Sequence, residues 1–84
     1  MDVEAIRAQI PTLRDMTYLN TGWSGPSPTR VVDAIIDRLR YESFSGPTTV
    51  EVLDSGMAIT SQTGQAVAGL LNASPDEVLL TQNT

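Results

Sequence analysis

Cysteine, histidine and lysine are all missing from this 84-residue sequence, and their absence removes most of the usual catalytic parts. Without cysteine there is no disulfide, and nothing points to an oxidising compartment. Without histidine and cysteine, no Cys/His metal site and no Ser–His or Cys–His nucleophile pair can be assembled. Without lysine there is no amine for a Schiff base. The five basic residues are all arginines (Arg7, Arg14, Arg30, Arg38 and Arg40), set against ten acidic residues for a net charge of −5. Such a balance opposes binding to nucleic acid and to anionic membrane surfaces. Aromatics are scarce, with one Trp, two Tyr and one Phe. No apolar run approaches the roughly 18 residues of a membrane span, and the acidic start, Met1-Asp2-Val3-Glu4, is unlike a signal peptide. These absences together predict a soluble, cytoplasmic chain with no catalytic apparatus of its own.

What is present is an ordinary globular share of hydrophobic residues, 40%, arranged with helical spacing. Val3, Ile6 and Ile10 fall at i, i+3 and i+7, which predicts a short helix over residues 2–10, capped by Asp2 and limited by Pro11. Residues 16–20 suit a brief extended segment. Two glycines, two prolines and two serines crowd residues 21–28, the composition of a shaped turn, and binding residues concentrate in such loops. Ser27-Pro28 reads as N-cap and first helical position. Val31, Val32, Ile35, Ile36 and Leu39 then form one face of an amphipathic helix reaching about Glu42.

Thr48 with Glu51 fits a capping box for a third helix. Leu53, Met57, Thr60, Gly64, Val67 and Leu71 give it one apolar or small face, and its glycines suit close packing of a neighbour. Asn72 suits a left-handed helix end. Residues 74–77 read as a turn, and Val78-Leu79-Leu80-Thr81 as a short buried strand. Helices followed by one unpaired strand predict an α/β domain at the point where its sheet begins.

The order of these features resembles the N-terminal section of class V aminotransferase-like enzymes, the fold-type I pyridoxal-phosphate (PLP) family that includes cysteine desulfurases and isopenicillin-epimerase-like proteins. The resemblance is carried by Tyr18-Leu19-Asn20-Thr21-Gly22, by Gly25-Pro26-Ser27-Pro28 entering an amphipathic helix, and by Pro75-Asp76-Glu77-Val78-Leu79-Leu80-Thr81. It implies an N-terminal helix and substrate-side loop over 1–27. Residues 28–84 become the start of a PLP-binding large domain, incomplete here, with two helices and the first strand. Asn20, Thr21, Gly22 and Trp23 would lie toward the substrate. Trp23 departs from the small or polar residue common there, and it equally suits an aromatic anchor for the loop.

The resemblance further implies that Asn83 and Thr84 open the turn that holds the cofactor phosphate. The usual Thr-Glu pair, the Schiff-base lysine, the aspartate facing the pyridine nitrogen and the stacking ring are not in the sequence. The chain is therefore expected to be an inactive portion of a homodimeric enzyme acting on an amino acid, with catalytic residues elsewhere in that enzyme. The other expectation is a stand-alone helical interaction module presenting the 53–71 face. Adjacent Asp76 and Glu77 suit a turn rather than acid/base work, because neighbouring side chains point apart on a strand.

Overall fold

Helices account for every regular element in the computed structural model, which describes residues 1–82. Three α-helices, α1 (Val3–Ala8), α2 (Thr29–Ser45) and α3 (Val50–Leu71), are joined with two short 3₁₀ turns, Pro11–Arg14 and Pro75–Glu77. No strand occurs among the described residues, so the expected α/β class, with a first strand at 78–81, is corrected to all-helical. Val78 does have an extended backbone, with φ −108° and ψ 118°. A strand is defined by its ladder, however, and an apolar run forms none without a partner edge.

The chain divides into two compact units, Met1–Tyr41 and Glu42–Thr84. In the first, Asp2 caps α1 as its residue type predicts: its Oδ1 accepts from the Ala5 N–H at 3.1 Å. The helix closes at Ala8, two residues before the expected end, and the Ile10 N–H bonds to the Arg7 carbonyl at 3.0 Å. Pro11 then opens a 3₁₀ turn that the apolar spacing did not indicate. The Thr29 N–H donates to the Gln9 carbonyl at 2.7 Å, tying the first turn of α2 to the end of α1. α2 starts one residue later than the sequence suggests. Pro28 stands just outside it, with its carbonyl accepting from Val31 and Val32. Along α2, Asp37 and Arg40 pair at 3.9 Å and the Arg38 guanidinium lies 5.5 Å from the Tyr41 ring centroid. Both ends of the ion pair are well exposed, and such pairs contribute only a few tenths of a kcal/mol.

α2 runs past Glu42 to Ser45 and stops where Gly46 adopts φ +91° and donates its N–H to the Glu42 carbonyl at 2.9 Å. The Gly46 carbonyl in turn accepts from the Thr49 hydroxyl at 3.0 Å. Thr49, not Thr48, is the N-cap of α3, and its side chain faces back to Gly46 instead of capping forward. At the far end of α3, Asn72 takes the left-handed conformation predicted for it, φ 54° and ψ 42°, and Ala73 bonds to Ala68 at 2.9 Å. A reciprocal clasp belongs to Ser74 and Glu77. Glu77 Oε2 accepts from the Ser74 N–H at 2.8 Å, and the Glu77 N–H reaches the Ser74 carbonyl at 3.0 Å.

Burial is concentrated on two residues of α3, Val52 at 2% and Ala68 at 1% exposure. Of the expected face, Gly64 and Val67 are half-buried. Leu53, Met57 and Leu71 all remain more than half exposed, and a Cβ placed on Gly64 or Gly69 would meet nothing within 4 Å. The apolar stripe of α2 is likewise exposed from Val31 to Leu39.

A positive φ and a close neighbour make Gly46 the most demanding backbone position. A Cβ there would sit 3.2 Å from Thr49 Cγ2. Gly46→Ala is expected to cost about 1–2 kcal/mol from the left-handed conformation alone. The measurable outcome is a lower far-UV helical signal than the parent at equal temperature; an unchanged signal would show that the helix ends without this turn.

Candidate functional site

The residues singled out at 20–23 do converge, on a turn in the first unit held by hydrogen bonds rather than by packing. The Asn20 carbonyl accepts from the Trp23 N–H at 3.1 Å and from the Ser24 N–H at 3.3 Å. The Tyr18 hydroxyl donates to the Ser24 carbonyl at 2.6 Å and passes 3.5 Å from the Asn20 carbonyl. Thr21 and Gly22 occupy the tip, and Gly22 has open space where a Cβ would be. Trp23 is 89% exposed. It therefore does not anchor the loop; Tyr18, which is half-buried, does. The sequence pattern gave no sign of that role for Tyr18, although a phenol beside a glycine-containing turn is a ready donor to unpaired turn carbonyls.

The turn offers a ligand the carboxamide of Asn20, the hydroxyl of Thr21 and the indole of Trp23, all on exposed residues. Exposed indoles bind through area and cation–π contact, and an amide and a hydroxyl bind through directed hydrogen bonds. No histidine, lysine or cysteine exists in the chain, so no Ser–His, Ser–Lys or Cys–His pair forms at the turn from its own residues.

Two clefts were not anticipated from the sequence. In the first unit, a cleft of about 380 Å³ is lined by Ala5, Ile6, Gln9, Ile10, Pro28 and Arg30. Its apolar side is the α1 stripe of Ile6 and Ile10, legible as a stripe but not as a cleft wall. In the second unit, a cleft of about 370 Å³ lies between α3, at Thr60, Ser61, Gly64 and Gln65, and the segment from Pro75 to Leu80.

Asn83 and Thr84, expected at the cofactor phosphate, lie outside the described residues. The second-unit cleft has hydroxyl and amide donors, but among the described residues its one charged lining residue is the anionic Asp76. That donor set does not suit a phosphate, which calls for cations or a convergent row of backbone N–H groups. With no lysine available either, the described residues do not fit PLP by themselves, and no reaction step is assigned to them. No group of three or more His, Cys, Asp or Glu residues positioned to hold a metal occurs among the described residues. No helix among them is long and apolar enough to cross a membrane.

The sequence is similar to a probable cysteine desulfurase of Methanothermobacter thermautotrophicus (strain Delta H), with 33% identity over 85 aligned positions. The alignment takes in 100% of this chain and 21% of that protein, so the chain spans about a fifth of its relative's length. No protein-family model matches the chain. No solved structure matches it either.

An indole this exposed should behave as a reporter of bulk water. Trp23 emission is expected close to that of free tryptophan, with nearly unhindered quenching by acrylamide. A blue-shifted, quencher-protected emission would instead mean that the loop anchors through its indole.

Proposed function

We propose that this chain is the opening portion of a PLP-dependent enzyme of the cysteine desulfurase and class V aminotransferase type, acting on an amino acid as a homodimer. The observation that carries the reading is the end-to-end alignment of the chain with a fifth of a probable cysteine desulfurase. One further observation supports it. The amphipathic helices leave their apolar faces exposed, as expected of elements whose packing partners lie elsewhere in a larger fold. In this reading the lysine that such chemistry requires, absent from these 84 residues, belongs to another part of the enzyme.

In this reading, residues 1–27 form an N-terminal helix and substrate-side loop, and residues 28–84 begin the large domain. Asn20, Thr21, Gly22 and Trp23 face the amino acid. Asn83 and Thr84 begin the phosphate turn, where backbone N–H groups and the positive end of a helix favour the anion. When bound, the cofactor supplies an electron sink for the substrate's α-carbon. The chain's own residues bind and orient; they do not transfer protons or form the covalent link.

Trapping tests the reading directly. The native protein is isolated with an antibody raised against these 84 residues, reduced with borohydride and mapped by mass spectrometry. The expected result is a pyridoxyl-lysine on a polypeptide that also yields this chain's peptides. A 9.0 kDa product bearing no pyridoxyl group would overturn the reading.

The phosphate turn has its own test in the complete enzyme. Asn83→Pro removes a backbone donor and fixes φ near −65°. A charge-assisted hydrogen bond is worth roughly 1.5–3 kcal/mol. PLP affinity is then expected to fall about tenfold to a hundredfold, whereas Asn83→Ala retains the N–H and costs much less. Equal affinities of the two variants, with the fold intact, would place the turn away from the phosphate.

A further inference from the structure

We infer that Tyr18 is the positioning residue of the 20–24 turn: its hydroxyl, by donating to the Ser24 carbonyl, holds Asn20 and Trp23 ready for the amino acid. The inference rests on the substrate-side assignment of that turn in the proposed function. The hydrogen bonding itself is a feature of the structure.

Packing does not order this turn. Trp23 is 89% exposed, and Cβ atoms built on Gly22 and Gly25 would meet nothing within 4 Å. Glycine-containing turns have many alternative backbone states, so something must select one. Two backbone bonds do part of this, since the Asn20 carbonyl gathers the N–H groups of Trp23 and Ser24 at 3.1 and 3.3 Å. Both of its acceptor positions are then used, and the second approach of the Tyr18 hydroxyl, at 3.5 Å, is at the outer limit of a hydrogen bond. The single phenolic proton goes to Ser24, where 2.6 Å is at the short end for an O–H···O contact.

Ser24 is consequently fixed on both sides of its α-carbon, through its N–H to Asn20 and its carbonyl to Tyr18. Trp23 immediately precedes it and inherits that restraint. Beyond the turn, Pro26 and Pro28 limit the chain's freedom. Tyr18 itself sits two residues before the turn and is half-buried, so its ring can serve as the fixed end of the strap.

Trp23 is the only tryptophan of these 84 residues, which makes its fluorescence a native reporter of the turn. Time-resolved anisotropy on the complete enzyme, with any tryptophan outside these 84 residues replaced by phenylalanine, compares the parent with Tyr18→Phe, which removes one oxygen and keeps the ring. The fast, local component of Trp23 depolarisation is expected to at least double in amplitude in Tyr18→Phe, with the far-UV helical signal unchanged. Ser24→Ala keeps the accepting carbonyl and is expected to match the parent. Tyr41→Phe, which removes the other tyrosine hydroxyl of these residues, should also match it. Equal amplitudes in parent and Tyr18→Phe would overturn the inference. So would a rise that Tyr41→Phe reproduces or that accompanies loss of helix, since the hydroxyl would then serve stability in general.

In the complete enzyme, Tyr18→Phe is expected to raise KM for the amino acid three- to tenfold with kcat within twofold. An unchanged KM alongside the anisotropy effect would overturn the substrate-side assignment, and with it the positioning role, while leaving the strap in place. Absence of pyridoxyl-lysine in the trapping experiment is a separate failure, that of the enzyme assignment itself.

Discussion

Burial of the apolar helix faces is the constraint on which the rest of this chain depends. Fixing one residue's backbone costs about 1–2 kcal/mol, and a fully buried aliphatic side chain returns roughly 1.5–3 kcal/mol. Here only Val52 and Ala68 are buried hydrophobics among the described residues, while α2 and α3 together order 39 positions (17 and 22). The stripes at Val31, Val32, Ile35, Ile36 and Leu39, and at Leu53, Met57 and Leu71, thus carry most of the burial these helices could gain. Amphipathicity of this kind is a property of elements built to be covered.

Local devices determine where the helices begin and end, and they work without any core. Asp2 satisfies an otherwise open N–H, Gly46 and Asn72 adopt left-handed conformations that release the chain, and Ser74 and Glu77 exchange hydrogen bonds. Each is worth on the order of 1 kcal/mol. That is enough to choose a boundary and too little to hold a helix that lacks burial. Boundaries and stability therefore rest on different parts of the sequence, with boundaries set by polar and glycine residues and stability by the apolar stripes.

The same division explains what could be read in advance. Asp2, Asn72 and the three helices were legible because caps and 3.6-residue periodicity act over a few neighbours. The strand expected at 78–81 does not form among the described residues, because a run such as Val78-Leu79-Leu80-Thr81 states only that the segment is apolar; pairing is decided by a partner edge. The capping box expected at Thr48/Glu51 is absent because the N-cap of α3 is Thr49, which puts Val52 rather than Glu51 at the third helical position; the box that does form, at Ser74/Glu77, belongs to the turn beyond α3. The α3 face was legible only in part: Gly64 and Val67 are half-buried, but Leu53, Met57 and Leu71 stay exposed, and the buried Val52 and Ala68 fall on nearly opposite sides of the helix. At the candidate site, the residue types of the turn were legible from glycine and proline density. The strap from Tyr18 was not, because it joins a side chain to a backbone carbonyl six residues away, and carbonyls carry no sequence label.

That last point decides how the turn responds to change. A contact between two side chains can be lost at either end, but the Tyr18 strap has only one side chain in it. Position 24 is free to vary as long as the backbone path is kept, and Gly22 has open space around it. Position 18 accepts only a residue that combines a rigid reach with a terminal donor; phenylalanine has the reach and serine has the donor, and neither has both. The turn can thus change the groups it presents, Asn20, Thr21 and Trp23, without changing the means by which it is held. Under the proposed substrate-side assignment, recognition and support reside in different residues, so the chemistry presented by such a loop can diverge while its shape is retained.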